Sequence, residues 1–392
     1  MRDTVILGAA RTPIGRFQGA LSSVPAPRLG SAAIAEALRR GGIAGGQVDE
    51  VYMGIILAAG VGQAPARQAS IFAGLPDSVP ATTVNKMCGS GLKAVMLAAQ
   101  AIQAGDADVC VAGGMENMSA APFLLDHART GYRFGNGTLV DSMVRDGLCD
   151  AFSGKLMGNC AELLAREYRI SRADQDAFAV RSYTRALEAM DSGRFAREIV
   201  PVEVGNGRGP SRRVAEDEEP RRFNPDKMAS LGPAFEDGGT VTVANASSIS
   251  DGAAALVVAS HEAARRLGAR PIARIVGQAV SATSPEWFTI APAAAIERLL
   301  EKIGWAKGDV DLYEINEAYA VVVLGVARKA GLDLDRVNVH GGAVALGHPI
   351  GASGARILTT LLYTMEERGV RRGVAAVCLG GGEAVSLAVE RV

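Results

Sequence analysis

The sequence predicts an α/β protein made of two similar halves, and three observations carry that prediction. Two helix-period segments are each followed by a short apolar run of strand type. Those runs match in pattern: Ala107-Asp108-Val109-Cys110-Val111-Ala112-Gly113-Gly114 returns as Ala375-Ala376-Val377-Cys378-Leu379-Gly380-Gly381-Gly382, each behind a glycine-led amphipathic helix. The 392 residues also exceed what one simple core holds, so two or three subdomains are expected.

Taken in order, the chain opens on Met1-Arg2-Asp3-Thr4-Val5-Ile6-Leu7-Gly8-Ala9-Ala10-Arg11-Thr12-Pro13, an apolar strand with no charged leader or cleavage pattern. With no peroxisomal address at Glu390-Arg391-Val392, the expected location is the cytoplasm. Asn85-Lys86-Met87-Cys88-Gly89-Ser90-Gly91 begins a helix running to Gln103, because Leu92, Val95, Met96, Ala99 and Ile102 form one apolar stripe. From Ser119 to Ala246 the texture changes. Gly205-Asn206-Gly207-Arg208-Gly209-Pro210 and Glu216-Asp217-Glu218-Glu219, followed by Arg221 and Arg222, read as solvated loop. A glycine-rich loop from Val339 to Gly354 then leads into a second helix with the stripe Ile357, Leu358, Leu361, Leu362 and Met365. The run from Gly373 ends at Cys378 and a glycine turn. A pseudo-twofold axis relating the halves would bring the two helix starts to one centre and make Cys110 the structural partner of Cys378.

Three side chains in this frame point to chemistry. Cys88 stands at a helix N-terminus, where free N–H groups and the helix dipole favour an anion. Its thiol is therefore expected to lose its proton more readily than a free cysteine, whose pKa is roughly 8.5. Gly89 and Gly91 clear space around the sulfur for a bulky carbonyl compound. His348 lies in the loop before the second helix, the kind of place that catalytic histidines occupy. Cys378 ends a strand beside a glycine turn, a favoured place for ligand chemistry in α/β sheets. Singly, each reads equally as a packed core or loop residue.

Composition narrows the classes. Lys plus Arg number 41 against 42 Asp plus Glu, a net charge of -1, which argues against a nucleic-acid or membrane-surface role. No run approaches the ~20 apolar residues of a membrane span. Five cysteines without a C-x-x-C pair read as reduced thiols, and no two of the four histidines are spaced i, i+4 to suggest a metal site.

Together, Asn-x-x-Cys-Gly-Ser-Gly at 85–91, Gly-His-Pro-x-Gly-Ala-Ser-Gly at 347–354 and Cys-x-Gly-Gly-Gly at 378–382 resemble the thiolase family, and Asn316-Glu317-Ala318-Tyr319-Ala320 is similar to that family's Asn-Glu-Ala-Phe-Ala. The resemblance spans essentially the whole chain. It implies a layered α-β-α-β-α fold: an N-terminal half at 1–118 plus 247–269, an inserted coenzyme-A-binding loop domain at 119–246, and a C-terminal half at 270–392. It implies reversible condensation or thiolytic cleavage of 3-ketoacyl-CoA, with Cys88 carrying the acyl group, His348 taking the thiol proton and Cys378 serving as the acid/base at carbon. The enolate oxygen would sit between His348 and a water on Asn316, the other oxyanion on the N–H groups of Cys88 and Gly380, with Glu317 in support. Ser247 would meet the pantetheine, Met157 the acyl group, and Arg221 or Arg222 the phosphates. Coenzyme A is then substrate rather than cofactor, with no further cofactor expected. A homodimer or homotetramer is implied, with Pro122 to Gly137 as the tetramerisation loop.

Some positions depart from the family pattern. Leu156 replaces histidine, Tyr319 replaces phenylalanine, His340 stands where asparagine is common, and Ser284 to Pro292, containing Phe288, replaces a Pro-x-x-Met-Gly-x-Gly-Pro loop. All are expected near the acyl pocket, where they would alter chain-length or polar-group preference. Two alternatives remain at this level: a ketoacyl-synthase-like condensing enzyme, which Cys378 argues against, and a non-catalytic CoA- or lipid-binding module.

Overall fold

A computed structural model describes residues 2–206 and 209–392. Gly207 and Arg208, within the stretch read as solvated loop, lie outside the described residues, as does Met1. The first half is built from β1 (Thr4–Arg11), α1 (Ala26–Gly41), β2 (Glu50–Gly54), α2 (Pro65–Phe72), β3 (Ala81–Val84), α3 (Ser90–Ala104) and β4 (Val109–Asn117). The insertion follows, with a hairpin of β5 (Phe123–Leu125) and β6 (Leu139–Asp141), helices α4 (Met157–Glu167) and α5 (Arg172–Asp191), and a second hairpin of β7 (Val202–Asn206) and β8 (Gly209–Val214). β9 (Ser250–Ser260) returns to the first half. The second half comprises β10 (Ala273–Ala282), α6 (Ala291–Ile303), β11 (Leu312–Ile315), α7 (Ala320–Ala330), α8 (Ser353–Arg368), β12 (Arg372–Leu379) and β13 (Glu383–Arg391).

The strands run in the order β11-β12-β13-β10-β1-β9-β4-β2-β3. The halves meet where Val5 pairs with Arg274 and Ile6 with Ala273. On either side of that seam the pattern repeats: parallel pairs at the outer edge (β2 with β3 and β4, β11 with β12), antiparallel pairs towards the seam. Val337 bridges Tyr313 in the place that β3 takes beside β2. Matching carboxylates fix the equivalence. Asp49 accepts the N–H groups of Asp108 and Val109 at 2.7 and 2.8 Å, and Asp311 those of Arg371 and Arg372 at 2.9 and 2.8 Å.

That register corrects the repeat expected from sequence, because Cys110 is equivalent to Gly373 and Met115 to Cys378. The slip of five residues has a simple origin. Both strands are runs of small apolar residues ending in glycine, so composition matches in several frames while only the ladder selects one. Side chains alternate faces along a strand, so an odd slip reverses the face. Cys110 accordingly packs in the central core with α3, whereas Cys378 packs with Val374 and Ala376 on the other side of its sheet.

Five layers result. α3 and α8 lie between the two halves of this continuous sheet, a first sheet and a second, with their stripes buried against both inner faces. α1 and α2 cover the outer face of the first sheet. α6 and α7 cover the second, and α4 and α5 of the insertion pack on α7 in the same core. The insertion is therefore less loop-like than its charge suggested: Ser171 and Asp174 form a capping box that starts the long helix α5. Arg11 at the end of β1, fully buried, ties the insertion down by pairing with Glu198 at 2.5 Å and bidentately with Asp217 at 2.7 and 2.9 Å. Among the described residues, no helix is long and apolar enough to cross a membrane.

Candidate active site

Cys88 sits on a tight turn between β3 and α3. Gly89 N–H closes the turn on Lys86 O at 3.1 Å, Ser90 Oγ accepts from Lys86 N–H at 2.8 Å and donates to Met87 O at 2.6 Å, and Asn85 Oδ1 accepts from Met87 N–H at 3.1 Å. Met87 is held left-handed, φ 47°, which is uncommon for a side chain of this kind and turns the next residue out of the strand line. The helix proper begins at Ser90, and Gly91 allows the start of α8 to approach: a Cβ there would lie 2.8 Å from Ala355 N, and one on Gly354 would lie 2.5 Å from Leu92 N. The two helix starts thus meet, as the pseudo-twofold requires.

His348 is fixed from both ends of its ring. Ser353 Oγ donates to Pro349 O at 2.9 Å, so it accepts from His348 Nδ1–H at 2.5 Å. This assignment leaves Nε2 with a lone pair, facing the Asn316 amide at 3.4 Å. The loop itself is pinned by Glu116, a buried carboxylate that accepts from Gly351 N–H at 2.9 Å, Ile56 N–H at 3.0 Å and Leu57 N–H at 3.1 Å; burial pushes its pKa up to about 7. Cys378 is fully buried at the end of β12 and also receives the Asn316 amide. Asn316 Oδ1 accepts no hydrogen bond from any described residue. Glu317 accepts from Ser182 at 2.7 Å, Asn338 at 2.8 Å and Val344 N–H at 3.1 Å, which locks the turn carrying Asn316 to α5 and the 338–344 loop.

Electrostatics correct one expectation. Cys88 is not acidified: burial raises its pKa to about 11, although the N–H groups of Gly380 and of Cys88 itself act on the sulfur in the opposite sense. The helix begins two residues later, and loss of water outweighs the dipole. Cys378 is raised further by burial and by the neighbouring Cys88. Burial and the charge of Arg356 lower His348 to about 3, so its imidazole is neutral and its Nε2 lone pair carries no proton.

Cys88 and His348 open into one cleft of about 640 Å³. Of the residues expected to contact substrate, Ser247, Met157, Arg222, Phe288 and Tyr319 all line it, and so does Leu156. Ser247 Oγ donates to Ala318 O at 2.9 Å. Gly380 stands over Cys88 with Met87 and Met157 nearby. Arg221 is outside the cleft wall and held by Asp191 at 2.6 Å, but it borders the adjoining basic depression together with Arg222. One expectation fails: His340 is elsewhere, bonded to Glu367 at 2.8 Å beside Arg194 and Phe195, so it cannot shape an acyl pocket. Residues that the sequence reading missed are Glu116, Phe235 and Arg16; the first was detectable as the lone charge in the apolar run Val109–Asn117.

Fold and cleft define a two-half α/β enzyme with a thiol and an imidazole facing one substrate cavity. Family models agree: residues 4–262 match the thiolase N-terminal domain and residues 269–391 the thiolase C-terminal domain. An acetyl-CoA acetyltransferase of Schizosaccharomyces pombe is 50% identical, with 100% of this chain and 99% of that protein covered, and acetyl-CoA acetyltransferase 2 of Arabidopsis thaliana is 54% identical, with 99% and 97% covered. The crystal structure of the Bacillus anthracis acetyl-CoA acetyltransferase superposes with a TM-score of 0.98 at 42% identity, covering 100% of this chain and 99% of that one. The chain belongs to the thiolase family and is an acyltransferase of the thiolase type, which sets aside the ketoacyl-synthase alternative.

Proposed function

We propose that this enzyme joins two acetyl-CoA molecules to acetoacetyl-CoA and CoA, or cleaves longer 3-ketoacyl-CoA esters with CoA, through an acyl group on Cys88. The observation that carries this reading is the Asn316 amide set between His348 and Cys378, with His348 and Cys88 opening into the same cleft. A neutral thiol attacks a thioester only if its proton leaves as the bond forms, and the His348 Nε2 lone pair is available for it. The Cys88 sulfur bonds to the acyl carbon, and the departing CoA sulfur takes the proton of Cys378. Cys378, now a thiolate, removes a proton from the α-carbon of the second acetyl-CoA. The resulting carbanion attacks acyl-Cys88, and the Cys88 sulfur leaves and recovers its proton from His348. Nε2–H of the protonated imidazole and a water on Asn316 Oδ1 suit the enolate oxygen, while the N–H groups of Cys88 and Gly380 suit the other.

Coenzyme A is substrate and product in this scheme, with no further cofactor required. Its acyl end is assigned to Met157 and Phe288, its pantetheine to Ser247 and its phosphates to Arg222 or Arg221; Arg222 lines both the cleft and an adjoining depression that it shares with Arg16, Arg212, Arg213 and Arg221. Leu156, Phe288 and Tyr319 support an altered acyl preference. Five unpaired cysteines support a reducing, cytoplasmic setting. The exposed apolar residues Phe123, Leu125, Phe134 and Leu139 around the first hairpin support assembly into at least a dimer. Mass spectrometry after incubation with acetyl-CoA tests the reading. An acetyl adduct on Cys88, absent in Cys88→Ala and formed more slowly and without condensation in Cys378→Ala, is expected; an unmodified Cys88 in the wild type would refute it.

A further inference from the structure

The inner wall of the cleft is apolar, formed by Leu148, Leu156, Met157, Phe235, Phe288 and Ile350. Tyr319 interrupts it with a hydroxyl. The ring cannot swing freely, because it packs edge-on against Phe235 with centroids 5.9 Å apart at 85°, and its backbone both caps α7 and bridges Ala246. Tyr52, Tyr313 and Tyr363 hydrogen-bond through their hydroxyls to Glu50, Lys307 O and Ala9 O. The Tyr319 hydroxyl, in contrast, bonds to no described residue, and Tyr319 is part of the cleft wall. Burial and the neighbouring thiols of Cys88, Cys160 and Cys378 keep it protonated, so it offers a donor.

A donor set in an apolar wall discriminates. Packed against hydrocarbon it stays unpaired, which is penalised, whereas a substrate oxygen at the same place satisfies it. The partner is neutral. The cations of the cleft wall are Arg16 and Arg222, which also border the outer basic depression, so a carboxylate near Tyr319 would lie unpaired among apolar side chains. We propose that Tyr319 makes this enzyme select 3-ketoacyl-CoA esters whose acyl group carries a neutral oxygen, a hydroxyl or ether, on the carbon next to the keto carbon, over hydrocarbon chains of equal length.

This rests on acyl transfer through Cys88. In the cleavage direction the Cys88 sulfur bonds to the keto carbon as its proton passes to His348, and the bond to the α-carbon breaks. The freed electron pair takes the Cys378 proton to give acetyl-CoA. The thiol of CoA then gives its proton to the Cys378 thiolate as its sulfur takes the oxygenated acyl group, and the Cys88 sulfur leaves and recovers its proton from His348. The oxygen on the carbon next to the keto carbon is unchanged throughout and serves only recognition.

The test compares 4-hydroxy-3-oxobutanoyl-CoA with 3-oxopentanoyl-CoA, which differ by a hydroxyl in place of a methyl, using wild type and Tyr319→Phe. The readout is the ratio of kcat/KM values for the two esters within one preparation, so it is independent of how active or stable the variant is. The expected ratio in the wild type is roughly tenfold in favour of the hydroxylated ester, falling to about one in Tyr319→Phe. Equal use of both esters by a wild type that still acylates Cys88 would overturn this inference and leave the acyl-transfer reading standing. A loss shared equally by both esters in Tyr319→Phe would also overturn it, assigning the hydroxyl to the reacting carbonyl. If neither ester nor acetyl-CoA loads Cys88, both readings fall together.

Discussion

At neutral pH Cys88 is a thiol. Its sulfur receives two backbone N–H groups and is still raised to about 11, because removal from water disfavours the charged form more than two dipoles favour it. At pH 7 the thiolate fraction is then on the order of one in ten thousand. A raised pKa means that alkylation, which needs thiolate, accelerates with pH well beyond the range of an ordinary cysteine. The rate of iodoacetamide labelling of the Cys88 peptide, followed by mass spectrometry, is expected to rise about tenfold per pH unit from pH 7 to 10. A plateau near pH 7 would show a pre-formed thiolate and contradict the burial argument. At this scale the sequence singled out the candidate residue types and missed the sign of the Cys88 shift: motif spacing locates a helix start but does not report how much protein closes over it. The same gap explains Arg221 and His340, whose partners Asp191 and Glu367 are remote in sequence or on another element and divert both side chains from the cleft.

The site exists because two helix starts meet. α3 and α8 approach through Gly91 and Gly354, each facing the other helix's backbone closely enough that a Cβ would clash. Gly354→Ala would force the pair apart and is expected to destabilise the fold by roughly 1–3 kcal/mol, visible as a lower Tm, while slowing acylation of Cys88 because the His348 loop moves with α8. Unchanged stability and acylation would mean that the helices have slack. Both stripes were legible from sequence: Leu92, Val95, Met96, Ala99 and Ile102 on α3, and Ile357, Leu358, Leu361, Leu362 and Met365 on α8, are all buried. Strand register was not. Small apolar residues flanked by glycine give a period of two without a phase, and the phase came from Asp49 and Asp311 binding strand ends more than fifty residues away.

For the whole molecule, the apolar surface around the hairpin of β5 and β6 calls for a partner. Phe134 is fully exposed, and Phe123 and Leu139 are each more than half exposed. Light scattering coupled to size exclusion is expected to give at least a dimer, and Phe123→Ser with Leu139→Ser is expected to lower the mass by one assembly step if this hairpin is the contact. A wild-type monomer would contradict the proposal.

Local order was enough to determine the fold class and the two central helices and to single out Cys88, His348 and Cys378 as candidates, because helix periodicity and glycine-flanked cysteine and histidine motifs are short-range signals. Tertiary structure alone decided which strand residues are equivalent, that the thiol is not acidified, which arginine borders the cleft, and that Glu116 pins the His348 loop. Those outcomes depend on burial and on hydrogen bonds between residues far apart in the chain, and both come into existence only when the layers close.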